Sequence, residues 1–439
     1  FNKVDRYSNQ NNYRQLFETA DSSFTRMSQT TIRALLESMD ITYRNSPNRR
    51  DVAYVKDTRT RTIWTWFGTI TFKRTIYQRR DNRSCFCYLD ELLGLPKYIK
   101  FDPIIRSMVC EAAANSNSLI KVGQQVGRNC LTTQESETYT ISRQSIRNII
   151  RGTNIHHLPN RALETPSTLY IMADEKYIAL QGNKGKKQMV KYAVAYENRD
   201  CSNSKRPVLK EKHHFVWTGQ DFWANFLDEL NHKYDLHQVK NIYLMGDGAS
   251  WIKSGRDILR LFKEQQVEFL LDHFHYKKAL NTLPKDGELI TRIDSALRHH
   301  TKPEVIQLLM SIDNNTLSKY QLDNWQYLIR HIDDIQRMFK YPDIMCSMEA
   351  KISHELASIF SSVPKAYSLP MLDKLLKLRM AYCNGLSIRS LYFENTHHNT
   401  LITSNEFNFS IFNYSNEKGY AIAHPNLASF ISKQFQYKF

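Results

Sequence analysis

The chain has 439 residues, 41% of them hydrophobic, and a net charge of +16. This length predicts two or three domains, and the apolar content excludes a largely disordered chain. No run of about 18 apolar residues occurs, so we expect no membrane span and a cytoplasmic protein, nucleoid-associated if prokaryotic. The positive charge favours a polyanionic partner, nucleic acid above all, with a basic but ordinary enzyme as the alternative. Because the first residue is Phe1 and not Met, we expect that the start is missing.

The cysteines and histidines do not predict a zinc site. Seven cysteines are scattered along the chain, and only Cys85 and Cys87 are close, with a spacing that is unusual for zinc ligands. Adjacent histidines such as His213 and His214 point apart on a strand or helix. We interpret the cysteines as reduced thiols that mostly pack in cores.

The N-terminal part combines helices with a basic β-hairpin. Residues 1–45 show helical spacing of apolar residues, and residues 46–100 contain the β-rich segment "TRTIWTWFGTITFKRTIYQRR". Basic side chains between aromatic ones suit nucleic-acid contact, and a hairpin with a charged outer face is the equal alternative. The candidate DNA-binding residues here are Arg59, Arg61, Lys73, Arg74 and Arg79.

Residues 101–155 are predicted to be helical. In "ISRQSIRNIIRGTN", Ser142 is a helix cap and the isoleucines fall on one face. With the preceding segment "SLIKVGQQVG", this helix favours a helix-turn-helix whose polar face enters the major groove. The spacer is longer than a standard turn, so a plain surface helix is the alternative. The candidate DNA contacts are Arg143, Gln144 and Arg147.

A change of pattern follows the polar segment 156–168, which we interpret as a linker. From residue 169 the predicted order is strand-strand-strand-helix-strand-helix-strand-helix. Acids follow the first and fourth strands, and this layout is typical of the ribonuclease-H-like (RNase-H-like) α/β fold. We therefore predict an RNase-H-like catalytic domain over residues 169–390, preceded by a mixed helical and β DNA-binding region. Residues 391–439 are predicted to form a C-terminal tail, which is rich in Phe, Tyr and Asn.

Two acids, Asp174 and Asp247, are predicted to meet at neighbouring strand ends. Ligands of open α/β sheets bind beyond the carboxyl ends of strands. The glycines that flank Asp247, Gly246 and Gly248, would allow a sharp turn and the close approach of a phosphate. Two close carboxylates repel unless a cation lies between them, and hard oxygen ligands favour Mg²⁺ or Mn²⁺. This arrangement suits phosphodiester chemistry.

A third carboxylate would complete the metal site. Glu349 lies in the first turn of the predicted helix "CSMEAKISHELASIF", from which it could reach the metals. An acid that favours the helix dipole is the alternative interpretation of Glu349. The candidates are Asp272, Glu304, Asp343, Glu349 and Glu355.

Several motifs resemble transposases of the ISLre-type insertion-sequence family, a DDE group related to the Mutator-like transposases. The matching segments include "LYIMADEKYIALQ", "YLMGDGASWIK", "LDHFHYKKAL", "SMEAKISHELASIFSSVPKAYS" and "LRMAYCNG". Together the matches cover most of residues 45–390. "GDGASWIK" followed by "DHFHYKK" is the most specific part.

The resemblance implies an RNase-H-like domain with a helical insertion before the last acid, and residues of about 285–340 fit that insertion. It also implies the catalytic and metal-binding triad Asp174, Asp247 and Glu349. In a D-x-x-H signature, His275 would lie near the metals or the scissile phosphate, although a histidine satisfied on the inner helix face is the alternative. Lys253 is a further candidate DNA contact. The arginines that usually follow the third acid are missing, which weakens the expectation of full activity.

The predicted function is metal-dependent cleavage and strand transfer at insertion-sequence ends. Water would cut the element ends, and the freed 3′-hydroxyls would attack target DNA. The expected partners are double-stranded DNA and further copies of the chain, because transposases usually work as assemblies. The alternatives are an RNase-H-like nuclease or resolvase without strand transfer, and a catalytically decayed DNA-binding protein.

Overall fold

A computed structural model describes residues 6–95, 97–129, 140–154, 163–182, 185–200, 202, 208–284 and 287–396. Part of the predicted linker and most of the predicted tail lie outside these ranges. The chain forms two compact units, one built mainly from Phe1–Arg106 and the other from Ser107–Gly127 and Tyr139–Asn395. Within the described ranges, no helix combines the length and the apolar character needed to cross a membrane.

The first unit packs a long helix against a twisted hairpin. Lys73 and Thr75 in the hairpin donate backbone N–H groups to the carboxylates of Glu37 and Asp40 on that helix. Leu36, Phe72 and other apolar side chains form the core between them. The elements are α1 (Arg6–Asn45), α2 (Pro47–Val52), β1 (Ala53–Thr65), β2 (Gly68–Arg79), β3 (Cys85–Phe86) and α3 (Tyr88–Leu92).

Three helices follow in chain order: α4 (Pro103–Ala114), α5 (Leu119–Asn129) and α6 (Arg143–Gly152). The side chain of Ser142 caps α6 by accepting the N–H of Ser145, as its sequence predicts. The apolar face of α6 is buried, and so is Ile141 just before it. A side chain on Gly123 of α5 would lie 2.2 Å from the carbonyl oxygen of Ile141, so this glycine permits close packing. The helix-turn-helix remains a prediction.

The second unit contains a five-stranded mixed sheet. Its strand order is β10-β9-β4-β5-β8, with β4 parallel to β9 and antiparallel to β5. Apolar side chains from the sheet and its helices form one core, which includes Ile171, Phe226 and Leu244. The strands are β4 (Thr168–Ala179), β5 (Lys187–Tyr196), β6 (Asn198–Asp200), β7 (Val208–Lys210), β8 (His213–Trp217), β9 (Asn241–Gly246) and β10 (Gln266–Leu271). The helices between the later strands are α7 (Phe222–Lys233) and α8 (Ser250–Leu259), and α9 (His273–Thr282) follows β10.

The segment between α9 and the last acidic helix is helical over its described length. It contains α10 (Gly287–His299), α11 (Lys302–Met310), a 3₁₀ turn (Asn314–Thr316), α12 (Lys319–Arg330) and α13 (Ile332–Phe339). The next helix begins as α14 (Met348–Lys351), continues as a π-helix (Ile352–Ala357) and ends as α15 (Ser358–Phe360). Two further helices complete the unit, α16 (Leu369–Cys383) and α17 (Ile388–Thr396).

The prediction that a strand ends at Asp174 was wrong. β4 continues to Ala179, because β5 pairs with it as far as Ala179 opposite Lys187. What ends near Asp174 is the pairing with β9, whose last partner on β4 is Met172. Asp174 therefore lies on a continuous strand, at the point where one of the two neighbouring strands stops.

Candidate functional site

The parallel ladder brings Asp174 and Asp247 side by side. Met172 of β4 pairs with Met245 of β9, and the same register carried two residues further aligns the two acids. β9 ends at Gly246, so Asp247 is the first residue beyond that strand. Side chains alternate along a strand, and both acids therefore leave the same face of their ladder. The predicted convergence of these two acids is consistent with this register.

The two glycines around Asp247 serve packing. Gly248 has a φ of +93°, which only glycine adopts easily. A side chain on Gly248 would begin 2.5 Å from the His331 ring, and one on Gly246 would begin 2.9 Å from the carbonyl oxygen of Ala173. Protein atoms occupy the space at both glycines. The expected sharp turn is present at Gly248, and the expected close approach of a phosphate stays a prediction.

Gly248→Ala is expected to lower the free energy of unfolding by about 2–3 kcal/mol, from backbone strain together with the clash against His331. Gly385→Ala is the matched control, since Gly385 has a φ of +67° and open space around it. The control should cost only about 1 kcal/mol. Urea unfolding followed by tryptophan fluorescence measures both variants. Equal losses would show that the His331 contact is unimportant.

A third strand end contributes Asp272 and His275. The N–H of Asp272 donates to the Gly246 carbonyl at 2.7 Å, which extends the ladder between β9 and β10. The Asp272 carboxylate then caps α9 by accepting the N–H of Phe274. His275 follows in the first turn of α9, and its Nε2 lies 3.9 Å from Asp272 Oδ2. This cap fixes the start of the helix and so directs His275 towards the strand ends.

Glu349 reaches the same place from α14. The backbone N–H of Ser347, just before α14, lies 3.2 Å from the sulfur of Met172 on β4, which anchors the helix start beside the strand. Ligand atoms of Asp174, His275 and Glu349 all lie within 4.8 Å of one another. Donor atoms that share one cation at bond lengths of about 2.0–2.3 Å lie roughly 3–4.5 Å apart. These three side chains therefore fit a divalent cation.

This compact set differs by one residue from the predicted metal ligands. It includes His275, and among the described residues Asp247 lies outside it. Asp247 is nevertheless close enough for its charge to raise the pKa of Asp174. One Asp247 oxygen accepts the N–H of Ala249 at 2.9 Å, which orients the carboxylate.

The electrostatics of the site disfavour a full set of negative charges. Burial raises the pKa of the Asp174 carboxyl from 3.8 to about 7, although the N–H of Glu175 donates to it. This pKa of about 7 includes smaller upward contributions from the carboxylates of Asp247, Glu175 and Glu349. Burial also raises the pKa of Glu175, against a hydrogen bond from the Trp251 indole. A cation between the carboxylates would relieve this repulsion.

The helical insertion contacts the backbone of Asp247. The Tyr327 hydroxyl of α12 donates to the backbone carbonyl of Asp247 at 2.8 Å. His331 Nδ1 lies 2.9 Å from Asp334 Oδ2, and Lys253 Nζ lies 2.5 Å from the same oxygen. Lys253 was predicted to contact DNA, but its ammonium group pairs with Asp334 here. We therefore assign it first to holding α8 against α13.

The other candidates for the third acid differ from Glu349. Glu355 accepts from Arg379 Nη2 at 2.7 Å, and the side chain of Arg379 is only 5% exposed. Glu304 belongs to a capping box with Thr301 at the start of α11. Both carboxylates thus have structural partners, whereas Glu349 faces Asp174 and His275.

The predicted basic residues of the hairpin fall into two groups. Arg61 and Arg74 both pair with Asp90 of α3, and Arg61 also donates to the carbonyl of Ile99 at 2.8 Å. The Arg61 side chain is 7% exposed, so its donors are used inside the protein. We therefore withdraw Arg61 and Arg74 from the proposed DNA contacts, because the carboxylate of Asp90 competes with any phosphate for them.

The remaining hairpin residues are accessible. Arg59 is exposed and pairs with Asp57 at 2.8 Å, and Lys73 is exposed on β2. Arg79 lies with its guanidinium 4.3 Å from the centre of the Phe86 ring and remains 39% exposed. These three residues stay predicted DNA contacts.

The predicted DNA-reading face of α6 is polar and accessible. Arg143 and Gln144 are exposed, and Arg147 is partly exposed. Gln144 connects the face by donating to Asn148 at 3.0 Å and accepting from Arg147 at 3.4 Å. The opposite face packs into the unit, so only this face remains available to a ligand.

Some site residues could not be found from the sequence. Tyr327, His331 and Asp334 lie about 80 positions beyond Asp247 in the chain, and no motif marks them. The sequence indicated Glu175 and Trp251 only weakly. Each lies in a motif that contains a predicted acid, Asp174 for Glu175 and Asp247 for Trp251. Their indole–carboxylate contact of 2.6 Å depends on the fold.

Comparisons with known proteins give matches among solved structures and among bacterial proteins. The Drosophila P element transposase strand transfer complex aligns with a TM-score of 0.26 and 13% identity over 70% of this chain and 83% of that chain, a likeness too weak to support an argument. A UPF0236 protein of Caldanaerobacter subterraneus subsp. tengcongensis, whose name joins eleven locus designations beginning with TTE0033, is 24% identical over 83% of this chain and 77% of its own length. UPF0236 protein TTE2489 of the same organism is 23% identical over 83% of this chain and 78% of its own length. The family model of UPF0236 matches residues 6–397, so the chain belongs to this uncharacterised protein family.

Proposed function

We propose that this protein is a DNA transposase of the DDE type, which cuts the ends of an insertion sequence and joins them to target DNA. The main support for the proposal is that Asp174, Asp247 and Glu349 lie close together, with His275. They lie where the parallel pairing of β4 and β9 ends. Three acids from two strands and a distant helix have little structural reason to be brought together, since their mutual repulsion costs stability.

The sheet supports an RNase-H-like assignment of the second unit. β4 lies at the centre, parallel to β9 and antiparallel to β5. β10 extends the parallel side and β8 the antiparallel side. The two strand acids belong to β4 and to the turn after β9, as the sequence order predicts. The helical segment α10–α13 stands between α9 and the helix of Glu349, where the resemblance places an insertion.

The carboxylates give the site its chemistry. Asp174, Asp247 and Glu349 would hold divalent cations, Mg²⁺ or Mn²⁺. Such ions, when bound, activate an attacking oxygen and stabilise the leaving oxygen of a phosphodiester. The protein itself orients the carboxylates: Ala249 fixes Asp247, the N–H of Glu175 fixes Asp174, and Ser347 positions the helix of Glu349.

DNA binding would combine two surfaces. The exposed hairpin residues Arg59, Lys73 and Arg79 would neutralise phosphates, and Arg143, Gln144 and Arg147 on α6 would contact base edges or backbone. Counterion release would make the affinity fall steeply with salt. The net charge of +16 agrees with a polyanionic substrate.

The gene copies of a relative agree with mobility. One relative's name joins eleven locus designations in a single organism, as expected for an element that copies or moves itself. Assembly of several protein copies on paired DNA ends is part of the proposal.

A strand-transfer assay tests the proposal. The purified chain is incubated with labelled duplexes from the DNA that flanks its gene, a supercoiled target plasmid and Mg²⁺ or Mn²⁺. We expect nicking at one defined position followed by joined product. Asp247→Asn should reduce both products by about 10³-fold or more, whereas Asp228→Asn, an exposed acid on α7, should leave both unchanged.

The same assay separates the alternatives. Nicked DNA without joined product would favour a nuclease or resolvase on the same fold. Salt-sensitive DNA binding without any cleavage, unchanged by Asp247→Asn, would indicate a decayed relative that only binds DNA.

A further inference from the structure

The compact ligand set of the site contains an imidazole. Among the described residues, the three side chains whose ligand atoms lie within 4.8 Å of one another are Asp174, Glu349 and His275. Two carboxylates alone would form a hard, all-oxygen set. The third donor in this set is nitrogen, and it comes from His275 in the first turn of α9.

The position of His275 is fixed by the fold. It is in the first turn of α9, whose start is set by the Asp272 cap and by the ladder bond from Asp272 to Gly246. Side chains in a first turn point back towards the start of the helix. Here the helix starts at the ends of β9 and β10, next to the acids. The side chain of His275 is 24% exposed and that of Asp272 only 5%, so part of the imidazole is accessible.

Asp272 stands where an outer partner of a metal-bound histidine is usually found. Histidine ligands commonly donate their second ring N–H to a carboxylate, which fixes the ring and raises its basicity. Asp272 Oδ2 lies 3.9 Å from His275 Nε2, which is longer than a hydrogen bond. Asp272 is the carboxylate that would take this role when a cation occupies the site.

Imidazole changes which cation is favoured. Mg²⁺ prefers an all-oxygen octahedron and dehydrates reluctantly, whereas first-row transition ions accept nitrogen ligands readily. Mn²⁺ accepts both carboxylates and imidazole, and its affinity for nitrogen donors exceeds that of Mg²⁺. A site with one His ligand therefore has a larger difference in affinity between Mn²⁺ and Mg²⁺ than an all-carboxylate site.

We infer that His275 is a direct ligand of a divalent cation held with Asp174 and Glu349, and that this imidazole makes the site select Mn²⁺ over Mg²⁺. The inference rests on the proposed function for its biological meaning, but it concerns metal binding by the full chain without DNA. It assigns to His275 a role in choosing the metal, in addition to the place near the scissile phosphate that the family resemblance implies.

Pulsed electron paramagnetic resonance tests the ligand directly. Mn²⁺ is added to the full chain, and the spectrum is examined for the hyperfine modulation of a coordinated ¹⁴N nucleus. We expect this modulation in the wild type and a changed frequency after labelling with ¹⁵N-histidine. It should be lost in His275→Gln and kept in His273→Gln, a control two residues away on α9 whose ring contacts Tyr276 instead.

Affinities for the two ions give a second readout. Calorimetric titration of wild type and His275→Gln should show the Mn²⁺ affinity falling by about 10-fold or more and the Mg²⁺ affinity changing by less than about 3-fold. Thermal unfolding of each variant checks the fold, and the wild-type spectrum alone decides the nitrogen ligand if His275→Gln does not fold.

Three results would overturn the inference: no nitrogen coupling in Mn²⁺-loaded wild type, coupling that persists in His275→Gln, or no Mn²⁺ binding at all. An equal loss of both affinities would overturn the claim of selectivity. A chain that shows the nitrogen coupling but never joins DNA would leave the His275 assignment intact and refute the transposase proposal instead.

Discussion

Glu349→Gln is expected to abolish nicking and joining, with a loss of about 10³-fold or more, while leaving the free energy of unfolding within about 0.5 kcal/mol of the wild type. Glu349 is exposed on α14 and faces Asp174 and His275. Glutamine keeps the size of the side chain but removes the charge that a cation needs. Removing one of several repelling carboxylates can even stabilise the metal-free protein slightly. The strand-transfer assay and urea unfolding measure the two effects.

Glu355→Gln is the matched comparison, because it makes the same chemical change six positions further along the same helical segment. Glu355 pairs with the buried Arg379 and accepts from the Cys383 thiol at 3.1 Å. Weakening a buried ion pair leaves an uncompensated charge, so the expected loss is about 2–3 kcal/mol of stability. Its activity per folded molecule should fall far less than that of Glu349→Gln. If the two variants show the reverse pattern, Glu355 and not Glu349 is the third acid.

Asp174→Asn is expected to stabilise the metal-free protein near neutral pH. The pKa of this carboxyl is raised from 3.8 to about 7 by burial and by neighbouring acids. Between these two pH values the folded state holds a proton that the unfolded state has released, so stability falls as the pH rises from about 4 to 7. Asparagine has no charge to bury and removes this loss. Allowing for partial solvent exposure, we expect a gain of about 2–3 kcal/mol at pH 8 and little difference at pH 4.

Bound Mn²⁺ should remove most of this difference in stability. Wild type should gain about 2.7 kcal/mol when Mn²⁺ is present at 100 times its dissociation constant, and Asp174→Asn should gain much less. Unfolding curves from pH 4 to 8, with chelator and then with Mn²⁺, give both comparisons. Asp228→Asn serves as the exposed control. It should change neither the stability without metal nor the stabilisation by Mn²⁺. An Asp174→Asn protein that is less stable than wild type across the whole range without metal would contradict the assignment of a strained acidic cluster.

Local sequence patterns were sufficient to predict several of the helices and strands. The hairpin, the cap at Ser142 and the buried isoleucines of α6 follow from β propensity, capping chemistry and helical spacing. The same reasoning misplaced the end of the first sheet strand at Asp174. A polar residue within an apolar run looks like a strand end, but pairing with β5 continues the strand to Ala179.

The basic residues show a second limit. Arg59, Arg61 and Arg74 look alike in a basic and aromatic segment, yet Arg61 and Arg74 share Asp90. Asp90 lies on α3, and the sequence of the hairpin does not predict this pairing. Lys253 is a similar case, because its partner Asp334 is 81 positions away.

By itself, the sequence determined the basic character, most strands and helices of the second unit and the choice of three candidate acids, because these depend on composition, on short-range periodicity and on a family resemblance. It did not predict β6 and β7, which pair in a two-stranded sheet of their own. Only the tertiary structure decided that Asp174, His275 and Glu349 share one small volume and that Tyr327 donates to the Asp247 carbonyl while the His331 ring lies beside Gly248. It also decided that two of the predicted DNA-binding arginines are internal ion-pair partners. The physical reason is that distances between side chains far apart in sequence depend on strand register and helix packing, which local propensities do not encode.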